Sequence, residues 1–371
     1  MIAEIKKLVK GIGRPVRLME VCGTHTVSIF RHGIRGLLPE GLGLISGPGC
    51  PVCVTPAGDV DNAISLSMTE GVLLATFGDM MRVPGSGRSL GEARAEGAQV
   101  EVVYSPMDAL KIAQKEKALP WAFGKVVFFA TGFETTSPLV AATVMEASAR
   151  GVKNFYIYPA HKLIPPALRA LLSSGEVLID GFILPGHVST IIGMAPYEFI
   201  AREFGRPGVI TGFDGKDILE GILMLLRQIA GGRAEIEIEY RTVVREEGNP
   251  KAVSMINECF EPVDADWRGI GVIPKSGLRL REKFRDFDAA KNFRIADSGM
   301  QGRKAPYGVA VPLAAGRARP CSCGEILRGV KTPPECPLFA LTCTPETPVG
   351  PCMVSDEGTC AAYYKYRGAY G

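Results

Sequence analysis

The sequence predicts an α/β protein with two parallel-sheet halves and a loop-rich C-terminal segment held together by cysteines. Three observations predict it. Short apolar runs lacking clean alternation recur from about residue 15 to 230, each followed by a helical pattern, as expected for parallel strands covered on both faces. From about Asp264 onward Gly, Pro and basic residues accumulate and hydrophobic periodicity fades. Six of the ten cysteines then fall between Cys321 and Cys360.

The strand candidates, in order, are Val16–Val21, Gly43–Ser46, Gly71–Thr76, Val100–Tyr104, Val126–Ala130, Asn154–Tyr158, Leu178–Leu184 and Pro207–Thr211. Helical patterns lie between them at Val27–Leu37, Val60–Thr69, Met107–Gln114, Pro138–Ala149, Pro165–Ser173 and Lys216–Ile229. The charged and Pro/Gly-containing break at 116–124 divides eight strands into two fours. The expected domains are therefore 15–117, 118–240 and 241–371, the last too poor in apolar core to stand without a staple.

Composition narrows the class. Hydrophobic content of 46% and charged content of 22% are those of a globular protein, and a net charge of +3 does not point to nucleic acid. The stretch from Lys275 to Arg294, with seven basic and three acidic residues, reads as a solvated face. The N-terminal residues carry scattered charges and no apolar h-region, and no run reaches the roughly 18–20 apolar residues a membrane span needs. These features lead to an expectation of a cytoplasmic protein, in which clustered thiols serve metal binding or redox chemistry.

Chemistry concentrates in turns that follow strands, the edge where open α/β sheets bind ligands. Cys22-Gly-Thr-His25 puts a thiol just ahead of a helix, where the N-terminus is expected to lower its pKa. His25 is placed to ligate, relay a proton or cap the turn. Cys50-Pro-Val-Cys53 suits a vicinal redox disulfide or two ligands on one zinc, Cu(I) or iron ion. Glu134, in Gly132-Phe-Glu-Thr-Thr136, is a candidate general base or hydrogen-bond acceptor, with the threonines placed to cap a helix or bind an anion. His187, in Pro185-Gly-His-Val-Ser189, has the same strand-then-turn placement. His161 is a weaker candidate, His32 reads as exposed, and Cys259 as a packed thiol.

The tail, Cys321-x-Cys323, Cys336, Cys343, Cys352, Cys360, holds two thiols more than one tetrahedral site or one [4Fe–4S] cluster needs. A disulfide beside the cluster accounts for the surplus.

In order and spacing, these motifs resemble the HypD family of [NiFe]-hydrogenase maturation factors across about residues 15 to 366. The resemblance implies two α/β domains flanking a cleft and a C-terminal [4Fe–4S] domain. It implies a scaffold on which the Fe(CN)2CO group of the hydrogenase is assembled. A HypC-type chaperone would share the iron, and a HypE-type donor would deliver cyanide made with HypF. Carried over, Cys22 is the iron ligand with His25 beside it, and Cys50 and Cys53 are a thiol–disulfide pair near that iron. A looser likeness to ferredoxin–thioredoxin reductase assigns Cys321, Cys336, Cys343 and Cys360 as cluster ligands and Cys323 with Cys352 as the redox pair. An iron–sulfur disulfide reductase acting through Cys50 and Cys53 is the alternative reading, as is a zinc-stapled binding module.

Overall fold

The computed structural model describes residues 1–116, 124–293, 295 and 321–367. All eight expected strands form: β1 Val16–Glu20, β2 Leu42–Ser46, β3 Val72–Thr76, β4 Val100–Val102, β5 Lys125–Ala130, β6 Phe155–Pro159, β7 Gly181–Pro185 and β8 Gly208–Thr211. A short β9, Ile236–Ile238, and an antiparallel hairpin of β10, Phe260–Trp267, and β11, Gly271–Leu280, follow. The helices used below are α1 Ile2–Ile12, α2 Gly23–Arg31, α3 Ala57–Ser67, α4 Ser137–Ala149, α5 Gly215–Ala230 and α6 Thr359–Tyr366.

The strands do not divide at the 116–124 break, most of which lies outside the described residues. One parallel sheet has the order β2-β1-β7-β8-β9 and the other β4-β3-β5-β6. In the first, Val16 pairs with Leu42 on one side while Leu18 pairs with Gly181 on the other. Two compact units result, each assembled from separated stretches: 1–53, 164–250 and 320–371 in the first, 54–163 and 251–319 in the second. The consecutive domains 15–117, 118–240 and 241–371 do not describe this arrangement. A buried parallel strand is apolar on both faces, so its own residues do not say which neighbour it takes.

In the first unit, α5 buries Ile218, Ile222, Leu225 and Leu226 from one helical stripe, and α1 contributes Ile5 and Val9 to the same core as Leu18 and Ile183. Each such side chain contributes roughly 1.5–3 kcal/mol of transfer free energy. In the second unit, Val126, Phe128 and Ala130 of β5 pack with Val140, Ala141 and Val144 of α4.

The second unit also corrects the expectation that order fades after Asp264. Phe260, Leu278 and Leu280 of the hairpin, with Phe284 and Phe287, join its core. The hairpin evades a periodicity search because it carries Pro262, Pro274 and a register shift between Val263 and Ala265. Cys259 is fully buried there, as expected, and burial pushes its thiol up to about 12. The basic stretch is a face of paired charges: Arg279 meets Glu261 at 2.6 Å, Lys283 meets Glu258 at 3.0 Å and Lys291 meets Glu282 at 2.9 Å. Arg294 lies outside the described residues.

Candidate functional site

Four adjacent strands of the first sheet end at one edge, and the turn after each carries part of the site. Cys22 follows β1, Cys50 and Cys53 follow β2, His187 follows β7, and Thr211-Gly212-Phe213 ends β8. The sequence placed the first three turns there; pairing of β1 with β7 is what makes them neighbours.

Cys22 is the N-cap of α2, in extended conformation at φ −154° and ψ 129°, with its thiol near the backbone N–H groups of Thr24 and His25. The turn after β2 leans against it: the Gly23 N–H donates to the Gly49 carbonyl at 3.1 Å, and a Cβ on Gly49 would lie 2.3 Å from the Cys22 nitrogen. Only glycine fits that approach. The expected lowering of the Cys22 pKa does not hold. Burial and then the Glu357 carboxylate push the thiol up to about 11, outweighing the helix amides.

Glu357 escaped sequence reading because nothing local marks it. Thr24 donates to its carboxylate at 2.6 Å, which brings the last cysteine-rich segment against the first motif. A second link lies behind. Arg35 meets the buried Glu20 carboxylate at 3.3 Å and stands over the rings of Phe30 and of Tyr363, on the helix that carries Cys360.

His25 is fully buried, and its Nε2 lies 2.9 Å from the Gly212 carbonyl and 2.9 Å from the Thr211 hydroxyl. Burial lowers its pKa to about 4, so the ring is neutral near pH 7. His187 is exposed; its pKa is lowered by partial desolvation, with the Glu357 charge acting the other way.

Cys50 and Cys53 are buried, and the Cys53 N–H donates to the Cys50 sulfur at 3.3 Å. The Cys53 thiol donates to the Pro351 carbonyl at 3.9 Å and touches the Cys352 thiol. Burial pushes it well up, the Cys352 contact acting the other way. Cys352 in turn touches Cys323 and Cys360. All ten cysteines are unbridged, and nine of them belong to the first unit, Cys259 being the exception.

Cys321, Cys336, Cys343, Cys352 and Cys360 line one small cavity with Ile326, Phe339 and Met353; Cys323 is not among its lining residues. Its wall fits an iron–sulfur group. The Val349 N–H donates to the Cys343 sulfur at 3.4 Å, and a Cβ on Gly350 would lie 2.6 Å from the Cys321 sulfur.

Glu134 belongs to the second unit, buried in the turn between β5 and α4, where the Ser137 hydroxyl donates to the Phe133 carbonyl at 3.0 Å. His161 is also buried there, edge-on to Phe260. His32 is exposed, as expected.

Two parallel sheets and a concentration of thiols in one unit define an α/β protein suited to metal or iron–sulfur binding. The comparisons make this particular: a family model described as the hydrogenase formation hypA family, HypD, matches residues 1–367. The hydrogenase maturation factor HypD of Escherichia coli is 47% identical over 355 residues, spanning 95% of this chain and 90% of that one. That of Rhodobacter capsulatus is 44% identical over 374 residues, covering 100% and 95%. A putative hydrogenase expression/formation protein of Methanocaldococcus jannaschii is 44% identical over 366 residues, covering 99% and 96%. The chain belongs to the HypD family of hydrogenase maturation factors. Among the described residues no helix is long and apolar enough to cross a membrane.

Proposed function

We propose that this protein is a cytoplasmic scaffold for assembly of the Fe(CN)2CO group of [NiFe]-hydrogenase. The observation that carries this reading is the contact of Cys53 with Cys352, which joins the Cys50/Cys53 turn to the thiol-lined cavity. In this reading Cys22 binds the iron that is the substrate. A thiol held at about 11 keeps its proton until a cation displaces it, so loading is coupled to proton release. In this reading the iron's other ligands are diatomic or come from a HypC-type chaperone. A HypE-type protein, supplied by HypF, is the cyanide donor.

Cys321, Cys336, Cys343 and Cys360 are proposed to hold a [4Fe–4S] cluster. When bound, such a cluster supplies electrons one at a time. Cys323 and Cys352 are the proposed second thiol pair. Reducing a Cys50–Cys53 disulfide takes two electrons and two protons, and Cys352 is the thiol in contact with Cys53. Burial of Cys50 and Cys53 suits internal electron delivery and disfavours the alternative, a reductase of external protein or small disulfides, which needs an accessible thiol. His25 and His187 are the proposed polar groups of the first unit's site, and Glu134 is proposed separately as a hydrogen-bond acceptor of the second unit.

The test is infrared spectroscopy of the protein co-purified with its chaperone. Cyanide and CO stretches are expected in the wild type and absent from Cys22→Ala. Persistence of the bands in that variant would remove Cys22 from the reading.

A further inference from the structure

The turn after β8 belongs to no motif discussed so far, yet its three residues touch both histidines of the site. The Gly212 carbonyl and Thr211 hydroxyl both lie 2.9 Å from His25 Nε2. A carbonyl can only accept, so Nε2 must carry the proton; in a neutral imidazole this leaves a bare lone pair on Nδ1. That Nδ1 is buried with no hydrogen-bond partner. Phe213 lies between the two rings, stacked on His25 at 4.7 Å and 26° and on His187 at 3.9 Å and 26°.

The turn is itself held from several sides. The Gly212 N–H donates to Glu239 at 3.0 Å, the Ser28 hydroxyl donates to the Phe213 carbonyl, and Tyr240 packs edge-on to Phe213 at 6.1 Å. A Cβ on Gly212 would lie 2.2 Å from the Asp217 carboxylate and 2.8 Å from the Tyr240 ring, so a larger residue there would displace side chains that pack on the turn. An aromatic face parallel to an imidazole fixes its plane and leaves its edge nitrogens accessible; an aliphatic side chain of similar volume fills the space without fixing the plane.

We propose that Thr211-Gly212-Phe213 is the positioning element of the site: it locks His25 as the Nε2–H tautomer with Nδ1 as an acceptor, and seats His187 on the Phe213 ring. Thr211 and Phe213 act through the histidines and are positioning residues. Their importance to maturation rests on the reading of Cys22 given above, whereas the tautomer and the stacking do not.

The experiment uses ¹⁵N-histidine-labelled full-length protein. Long-range ¹H–¹⁵N spectra should give His25 protonated at Nε2 and bare at Nδ1, and His187 ring protons displaced by the Phe213 ring current. Phe213→Leu should remove that displacement and lower hydrogenase maturation in cells at least about tenfold, since small misplacements are costly in an assembled site. Its far-ultraviolet dichroism and visible colour should be kept, and Phe213→Tyr should restore both spectrum and maturation. A His25 protonated at Nδ1 overturns the first half. Full maturation by Phe213→Leu, or equal loss in the Leu and Tyr variants, overturns the second. Should Phe213→Leu not fold, Thr211→Val reports on His25: an unchanged tautomer is expected from the Gly212 carbonyl alone, and a switch to Nδ1–H overturns the assignment. Maturation surviving Cys22→Ala would instead sink the assembly reading and leave these spectra unaffected.

Discussion

The Cys53 thiol donates to the carbonyl of Pro351 across 3.9 Å, although 298 positions separate the two residues. The contact sets the Cys50/Cys53 turn against the segment carrying Cys352, and it exists because 320–371 folds into the same unit as 1–53. The electron delivery proposed above would run between two thiols already in contact, Cys352 and Cys53.

If four of the tail thiols hold a cluster, iron and acid-labile sulfide should each be about four per chain. Cys336→Ala should lose the brown colour and make residues 321–367 sensitive to protease, because binding and local folding are coupled there. A colourless wild type with stoichiometric zinc would end the cluster assignment.

Cys323→Ser should keep the cluster and abolish maturation, since Cys323 touches Cys352 and does not line the cavity. Cluster loss in that variant, read from the visible spectrum, would make Cys323 a ligand. Full maturation would make the pair structural.

Gly350→Ala should damage the cluster site selectively. Its Cβ would lie 2.6 Å from the Cys321 sulfur, and overpacking of this kind costs about 1–3 kcal/mol. Iron content should fall while the melting of the second unit, followed by hydrogen exchange in β5 and β6, stays unchanged.

Lys162 and Asp59 form a buried pair at 3.5 Å in the second unit, with the Tyr158 hydroxyl donating to the same carboxylate at 3.0 Å. Lys162→Met strands the carboxylate and should cost about 3–5 kcal/mol in urea unfolding. The double variant Lys162→Met, Asp59→Leu should recover much of that loss. Purely additive costs would deny the coupling.

His161 is buried beside Lys162, and burial lowers its pKa to about 3, below the ordinary 6.5. The unfolded chain therefore binds a proton that the folded chain refuses, and stability falls as pH drops from 6.5 towards 3. Each such histidine contributes a slope of up to about 1.4 kcal/mol per pH unit. His161→Phe should flatten the pH dependence of the urea midpoint below pH 6.5 and leave it unchanged above pH 7. Identical slopes in the two proteins would show that the ring titrates normally.

Much of the site is legible in the one-dimensional pattern. Strand ends and the turns after them depend on local apolar runs and on Gly, Pro, Cys and His within a few residues, so the sequence alone puts Cys22, Cys50, Cys53 and His187 at a sheet edge. The cysteine spacing alone set the tail apart. Tertiary structure decided the rest. It placed β1 between β2 and β7, and so made His187 a neighbour of Cys22's strand. It desolvated Cys22 and brought Glu357 to Thr24 beside it, which together reversed the expected pKa shift of Cys22. It put Phe213 between two histidines and Cys352 against Cys53. The physical reason is the same each time: an apolar parallel strand pairs equally well on either side, and a carboxylate or thiol acquires its chemistry from neighbours that sequence distance does not encode.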